Sequence, residues 1–182
     1  MKRNILLILA LFLTTIVSAQ RYYSKTARIT FNSKAPLENI EAVNQTAQAI
    51  IDSKTGAVQF SAQVKGFEFQ KKLMQQHFNE NYLESDKYPK AEFKGSITNN
   101  SEVNYTKDGT YTAKVKGKLT IHGVTKDVEN TGTIKVVGGK INTASSFSVL
   151  LTDYNIIIPA AVSDKVSKSV TITVNANLEL MK

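Results

Sequence analysis

Chemistry in this 182-residue chain has to start from its two histidines, because it contains no cysteine to act as nucleophile or thiolate ligand. His77 stands in "HFNENYLES", with Glu80 three residues on and Glu84 a turn beyond. On a helix, His and Glu at that spacing share a face and can share a metal ion. A zinc site wants a further protein ligand, and His122 is the only other imidazole. His77, Glu80 and His122 together would make a metal-dependent enzyme, although no HExxH-type motif accompanies them. Serine chemistry lacks a G-x-S-x-G elbow. The carboxylates Glu80, Glu84, Asp86, Glu92 and Asp153 contain no pair that the sequence singles out for glycoside chemistry. Gly138-Gly139 reads as a hairpin rather than a phosphate cradle. Asp153 interrupts the apolar run "SVLLTDYNIIIPAAV". It could orient a ligand headgroup, but a local cap through its carboxylate is the reading preferred here. No catalytic residue, metal site or cofactor is assigned. His122 precedes glycine in "GKLTIHGVTKDVENTG", between two strand-like runs, and reads as a turn.

The elements that would position these residues are mostly strands. "TYTAKVKGKLTI" alternates strictly: Tyr111, Ala113, Val115, Gly117, Leu119 and Ile121 share one face, with threonines and lysines on the other. The same period-two pattern recurs in "ARITFNS", "TAQAIID", "AVQFSAQV", "AEFKGSI", "KDVENTGTIKV", "KINTASSFSVLL" and "SVTITVNANLEL". Glycine-bearing turns such as "SKTGA", "TKDGTY" and "VVGGKI" separate several of them. Two segments break the pattern. Residues 35–44, "APLENIEAVN", carry a short-helix signal in Pro36 and Glu38. Residues 69–85 carry a stronger one, with Leu73, Met74, Phe78 and Tyr82 on one face. "TNNSEVNYTKDGT" reads as a polar hairpin loop or frayed strand ends. The fold expected is all-β: an antiparallel, lipocalin-like barrel of about eight strands with one or two short helices. Closure is how a meander with one apolar face covers that face.

The ends set the compartment. "MKRN" is a basic start, "ILLILALFLTTIV" an apolar run, and "VSA" a small-residue cleavage site before Gln20. Residues 1–19 are therefore expected to be a signal peptide, with cleavage near Ala19, and residues 20–182 a single barrel domain. Export to the periplasm or beyond follows. Removing Lys2 and Arg3 with the leader leaves 21 basic against 15 acidic residues, a net +6. That balance is compatible with transient contact with an anionic membrane surface. The basic residues are scattered and no aromatic-basic motif appears, which excludes a nucleic-acid partner.

Many expected inward positions are small (Ala27, Ala47, Ala49, Ala62, Ala113, Ala176) with aromatic residues among them. Such an interior would be apolar and incompletely filled, suiting a lipid tail. The alternative is a filled core in a structural or partner-binding protein. "GKLTIHGVTKDV", "HFNENYLESDKYPKAEFKGSI" and "ASSFSVLLTDYNIIIP" resemble, in order and spacing, the YceI family of polyisoprenoid-binding, lipocalin-like exported proteins. The resemblance spans essentially the whole mature chain. It implies an extended barrel around a long apolar tunnel, occupied in some members by an isoprenoid or other amphiphile, with no established catalytic residues. The opening segment "FNSKAPLENIEAVNQTAQAIID" departs from the family's usual strands. Asn155 stands where a glycine commonly follows the Asp-aromatic pair. The ligand-lining candidates are Phe31, Phe60, Leu73, Phe78, Phe93, Tyr111, Val115, Leu119, Phe147 and Val149, in apolar contact with a lipid or isoprenoid.

Overall fold

The structure is a computed structural model that describes residues 20–181; the leader expected over residues 1–19 lies outside the described residues. The chain forms β1 (Arg21–Lys34), β2 (Asn39–Asp52), β3 (Ala57–Gln63), β4 (Glu68–Phe69), α1 (Lys72–His77), β5 (Lys90–Ile97), β6 (Gly109–Ile121), β7 (Val124–Val137), β8 (Lys140–Leu150) and β9 (Ser169–Leu180). The long strands are hydrogen-bonded in the order β1-β9-β8-β7-β6-β5-β3-β2, and β2 pairs back onto β1. The result is a closed antiparallel barrel of eight strands. The two-residue β4 adds to β2 opposite Ala42 and Val43.

The helix expected over residues 35–44 does not form. Residues 35–38 make a tight turn closed by the Ala35 N–H to the Glu38 carbonyl at 3.0 Å. β2 then pairs with β1 from Asn39↔Lys34 onward. A long cross-strand ladder outweighs a local propensity worth a few tenths of a kcal/mol per residue. The inward face of β2 reads Ala42, Asn44, then Ala47, Ala49, Ile51, so parity changes once. β1 carries matching register shifts around Ala27. Asn44, wholly buried, stitches this irregularity. Its Oδ1 accepts the Thr46 N–H at 2.8 Å and its Nδ2 donates to the Gln63 carbonyl at 2.9 Å. Bulges of this kind change the face of a strand without ending it.

The helix expected over residues 69–85 is shorter at both ends. Phe69 belongs to β4, α1 spans Lys72–His77, and a wider π turn continues it over Phe78–Tyr82. The Leu83 N–H closes that turn on the Phe78 carbonyl at 2.9 Å. Glu84, at φ 42, reverses the chain.

One end of the barrel is shut. Residues 98–108, expected as a polar loop, fold across it and bury Val103 and Tyr105. The Tyr105 ring stacks on Tyr22 at 6.1 Å, and its hydroxyl donates to Asn100 Oδ1 at 2.7 Å. Burial pushes the Tyr105 phenol up to about 12. At the same end Asp52 organises the β2–β3 turn, accepting the Thr55 and Lys54 N–H groups at 3.0 and 3.1 Å and Arg21 Nε at 3.4 Å. These bonds, Thr55 first, hold its carboxyl below the ordinary carboxylate range.

On the inner wall Gly95 faces Gly117 across β5 and β6. An ideal Cβ on either would meet the Phe93 ring, at 2.6 Å from Gly95 and 2.8 Å from Gly117, besides the opposite backbone. The glycine pair thus lets two strands approach while one aromatic ring covers both.

Two outcomes follow for stability. Gly117→Ala should cost about 1–3 kcal/mol, since backbone and ring must both move, read as a lowered urea midpoint with an unchanged slope. For Asp52, a lowered folded-state pKa means that its contribution is present at neutral pH and is lost as pH falls through the acid range. Asp52→Ala should therefore cost about 1 kcal/mol or more at pH 7 and distinctly less at pH 3, compared by urea melts at both values.

Candidate functional site

Inward residues of a closed barrel fill its middle or leave a hole, and here they do both. Ala27, Ala42, Ala47 and Ala49 are fully buried and stay out of the cavity wall. They allow β1 and β2 to pack closely around the bulge. The space lies further along, among larger side chains. It is a cavity of about 890 Å³ reaching from the shut end to an open mouth. Its wall takes Val115 and Leu119 from β6 and Ile172 and Val174 from β9, alternating as strand geometry requires.

Nine of the ten expected lining residues border this one cavity: Phe31, Phe60, Leu73, Phe78, Phe93, Val115, Leu119, Phe147 and Val149. Tyr111 lies outside the cavity wall. It has the right parity but sits at the start of β6, toward the shut end, where its hydroxyl donates to the Lys107 carbonyl at 2.9 Å. Leu73 is at the mouth, 61% exposed. Sequence reasoning missed Phe67 and Phe69, which flank and form the two-residue β4, too short to register as an alternating run. Both rings pack on Phe78, at 5.7 and 5.0 Å, and Phe31 joins them at 5.4 Å from Phe78. Four phenylalanines thereby anchor the helical segment beside the mouth.

The mouth is framed by three connections. The β1–β2 turn contributes Leu37 and Glu38, the helical segment Lys71, Leu73 and His77, and the β8–β9 connection Ile158, Val162 and Lys165. Leu37 N–H bonds the Asp164 carbonyl at 3.0 Å, and Lys71 Nζ meets Glu38 Oε1 at 2.6 Å, joining the three. The run "NIIIPAAV" is divided at this rim: Ile156 is buried, Ile157 is 79% exposed, and Ile158 borders the cavity.

His122 and Gly123 form the two-residue β6–β7 turn, with φ of 51° and 73°, as the hairpin reading expected. The side chain does more. Its Nε2 lies 2.8 Å from Glu84 Oε2 and its Nδ1 3.1 Å from the Tyr154 carbonyl oxygen. Tyr88 packs edge-on against the ring at 4.7 Å. Both ring nitrogens are thus engaged by protein. The imidazole ties the segment after α1 to the β8–β9 connection. Asn155, next to Tyr154, has φ 56; Asn tolerates this left-handed conformation where glycine is the usual choice. Asp153 is exposed and outside the cavity wall, within the 3₁₀ turn Leu151–Tyr154.

The metal triad is not assembled. His77 borders the mouth, Glu80 is hydrogen-bonded by Gln76 Nε2 at 3.1–3.2 Å, and His122 is engaged elsewhere. Among the described residues no three His, Asp or Glu side chains are grouped to hold a metal.

The profile of the YceI-like domain matches residues 17–178. No curated protein gives a significant match. Among solved structures, a polyisoprenoid binding domain from Saccharophagus degradans implicated in plant cell wall breakdown superposes with a TM-score of 0.77 at 12% identity, over 90% of this chain and 99% of that one. Burkholderia cenocepacia BcnA follows with TM-score 0.67 at 19% identity, over 84% and 95%. A Campylobacter jejuni YceI protein gives 0.51 at 18%, over 75% and 81%. At these identities the likeness is one of fold.

The clasp on His122 gives a direct expectation. His122→Ala removes two hydrogen bonds and a ring contact, and should lower stability by about 1–3 kcal/mol. Limited proteolysis should then cut first within residues 151–168, and a cleavage pattern identical to the native protein's would count against the clasp.

Proposed function

The chain belongs to the YceI-like family, and from that membership and the cavity's geometry we propose that it is a non-catalytic exported protein that binds a long apolar or amphiphilic molecule, an isoprenoid or another lipid, inside the barrel. The observation that carries the reading is the open cavity of about 890 Å³ with a wall made chiefly of aliphatic and aromatic side chains. An interior of that size speaks against the filled-core alternative. Each methylene moved from water into such a wall contributes about 0.8 kcal/mol. A long tail therefore supplies ample driving force even after the cost of immobilising it. No acid–base pair or nucleophile needs to act on such a cargo.

Two further features support the reading. The Saccharophagus degradans domain that shares the fold is described as polyisoprenoid binding. The leader expected over residues 1–19 would deliver residues 20–182 to the periplasm or the exterior, where a chain without cysteine depends on sheet closure rather than disulfides. The net positive charge of the mature chain favours brief contact with an anionic membrane surface, from which such a cargo would be taken.

Protein purified from an exporting host should release an extractable lipid, and native mass spectrometry should show a discrete mass above that of the polypeptide. The bare polypeptide mass in every preparation would overturn the proposal. Val115→Trp, which projects an indole into the cavity, should weaken binding of a fluorescent long-chain probe at least tenfold while leaving the β-sheet circular dichroism unchanged.

A further inference from the structure

The barrel wall has a seam. β6 and β7 stay paired over their whole length, to Ile121↔Val124 beside the turn. β8 and β9 likewise pair from Ile141↔Leu178 to Leu150↔Ser169. Between β7 and β8, however, the ladder runs only from Val137↔Lys140 to Gly132↔Ser145 and then stops. Continued in register, it would have joined Asn130 to Phe147 and Val128 to Val149. Residues 124–131 and 146–150 instead present unpaired edges to one another. The gap is bounded above by the Leu151–Tyr154 turn, tied to His122 through the Tyr154 carbonyl.

The cavity reaches into this seam. On β6 and β9 it touches alternate residues only, whereas on β7 and β8 it touches runs, 128–130 and 132–134, and 143–145 and 147–149. Among the strands, the other outward-facing residues it touches are Ser61 and Glu92, and these remain paired in the β3–β5 ladder. The runs 132–134 and 143–145 belong to the paired part of the ladder, whereas 128–130 and 147–149 lie beyond its end, so there the cavity borders strands that no backbone ladder joins.

The chemistry also changes here. At the fork Asn130 Nδ2 donates to Ser145 Oγ at 2.7 Å and to the Ser146 carbonyl at 3.3 Å, in place of the missing ladder bonds. That arrangement leaves Asn130 Oδ1 as an open acceptor and the Ser145 hydroxyl proton as an open donor. Thr143, the next inward residue on β8, also borders the cavity, and its Oγ1 has no hydrogen-bond partner. The charge beside the seam is spent: Glu129 holds Lys116 at 2.6 Å on the outer face. Lys126, on the unpaired run of β7, is exposed and outside the cavity wall, so among the described residues no cation of the seam borders the cavity, and Glu129, which does border it, would repel an anionic group.

We propose that the β7–β8 seam seats the polar end of the ligand, and that this end is a neutral group able both to donate and to accept a hydrogen bond, such as a primary alcohol, while the tail lies along the apolar cavity. This rests on the lipid-binding reading and adds the position and class of the headgroup.

Delipidated protein is titrated with hexadecanol, hexadecanoate and hexadecane, each competing against the same fluorescent long-chain probe. The native protein should prefer the alcohol to both the alkane and the carboxylate. Ser145→Ala and Thr143→Val, each read separately, should reduce the alcohol-over-alkane preference about fivefold, the effect of one neutral hydrogen bond, with alkane affinity unchanged. Thr173→Val removes a hydroxyl from the outer face, where it meets Ser146, and should alter neither. A preference untouched by both seam variants, or equal loss for alcohol and alkane, overturns the seam assignment and leaves lipid binding standing. Tighter binding of the carboxylate overturns the neutral class. Failure of every chain to displace the probe, or of the probe to bind, overturns the lipid-binding reading itself.

Discussion

The pairing of β9, the last strand, onto β1, the first, constrains all the rest, because it turns a meander into a closed wall. An open sheet of this length would present two unpaired edges and a bare apolar face. Closure removes the edges and directs every second side chain to one interior. It also fixes the circumference, and eight strands leave an interior that side chains can fill only if enough of them are large. Here they fill the shut end, where Tyr22, Tyr105, Ile141 and Leu178 are buried together. They do not fill the other half. The irregularity around Ala27 and Asn44 belongs to the same constraint: β1 is held by β2 on one side and β9 on the other, both ladders shift register around Ala27, and Asn44 satisfies the displaced backbone of the β2 side.

Closure also explains why His122 carries structure rather than chemistry. The open end needs its connections held apart from the lumen yet fixed to one another. Backbone bonds do part of this, as between Leu37 and Asp164, and side chains that reach across the rim do the rest. An imidazole has two polar nitrogens on opposite sides of a flat ring, and here each reaches a different connection. Glu84 and Asn155, the other non-glycine residues with positive φ among those described, lie in the two segments it joins. Local backbone strain is thus gathered at one node and offset by the contacts that converge there.

The wall of the barrel was legible in the sequence because strand parity is a local property. Phe60, Phe93, Val115, Leu119, Phe147 and Val149 could be placed on one face by counting in twos, and the structure sets them around one cavity. What could not be read depended on partners distant in the chain. Residues 35–44 have helical composition, but β1 supplies a ladder they join instead. Tyr111 has inward parity, yet parity says nothing of depth along the barrel. The polar string at 98–108 gave no sign that Val103 and Tyr105 would plug an end, since two apolar residues in a polar run carry no period. The three strings that bear the family resemblance turn out to meet at His122, a proximity that spacing along the chain does not reveal.

The half-empty interior sets a tension between folding and binding. Apolar side chains around an unfilled space forgo dispersion contacts that a packed core would have. Filling it with larger residues would stabilise the barrel but remove the site. A ligand resolves this in the bound state, because a molecule that binds only the folded chain adds its binding free energy to the stability of the fold. The seam belongs to the same compromise. Completing the β7–β8 ladder would add backbone hydrogen bonds, but it would close the stretch where the cavity borders unpaired residues of both strands. Asn130 bridges the fork from the side chain instead. It secures the last paired residues while leaving the strands above them free of one another, so the wall retains its closure below and an opening above.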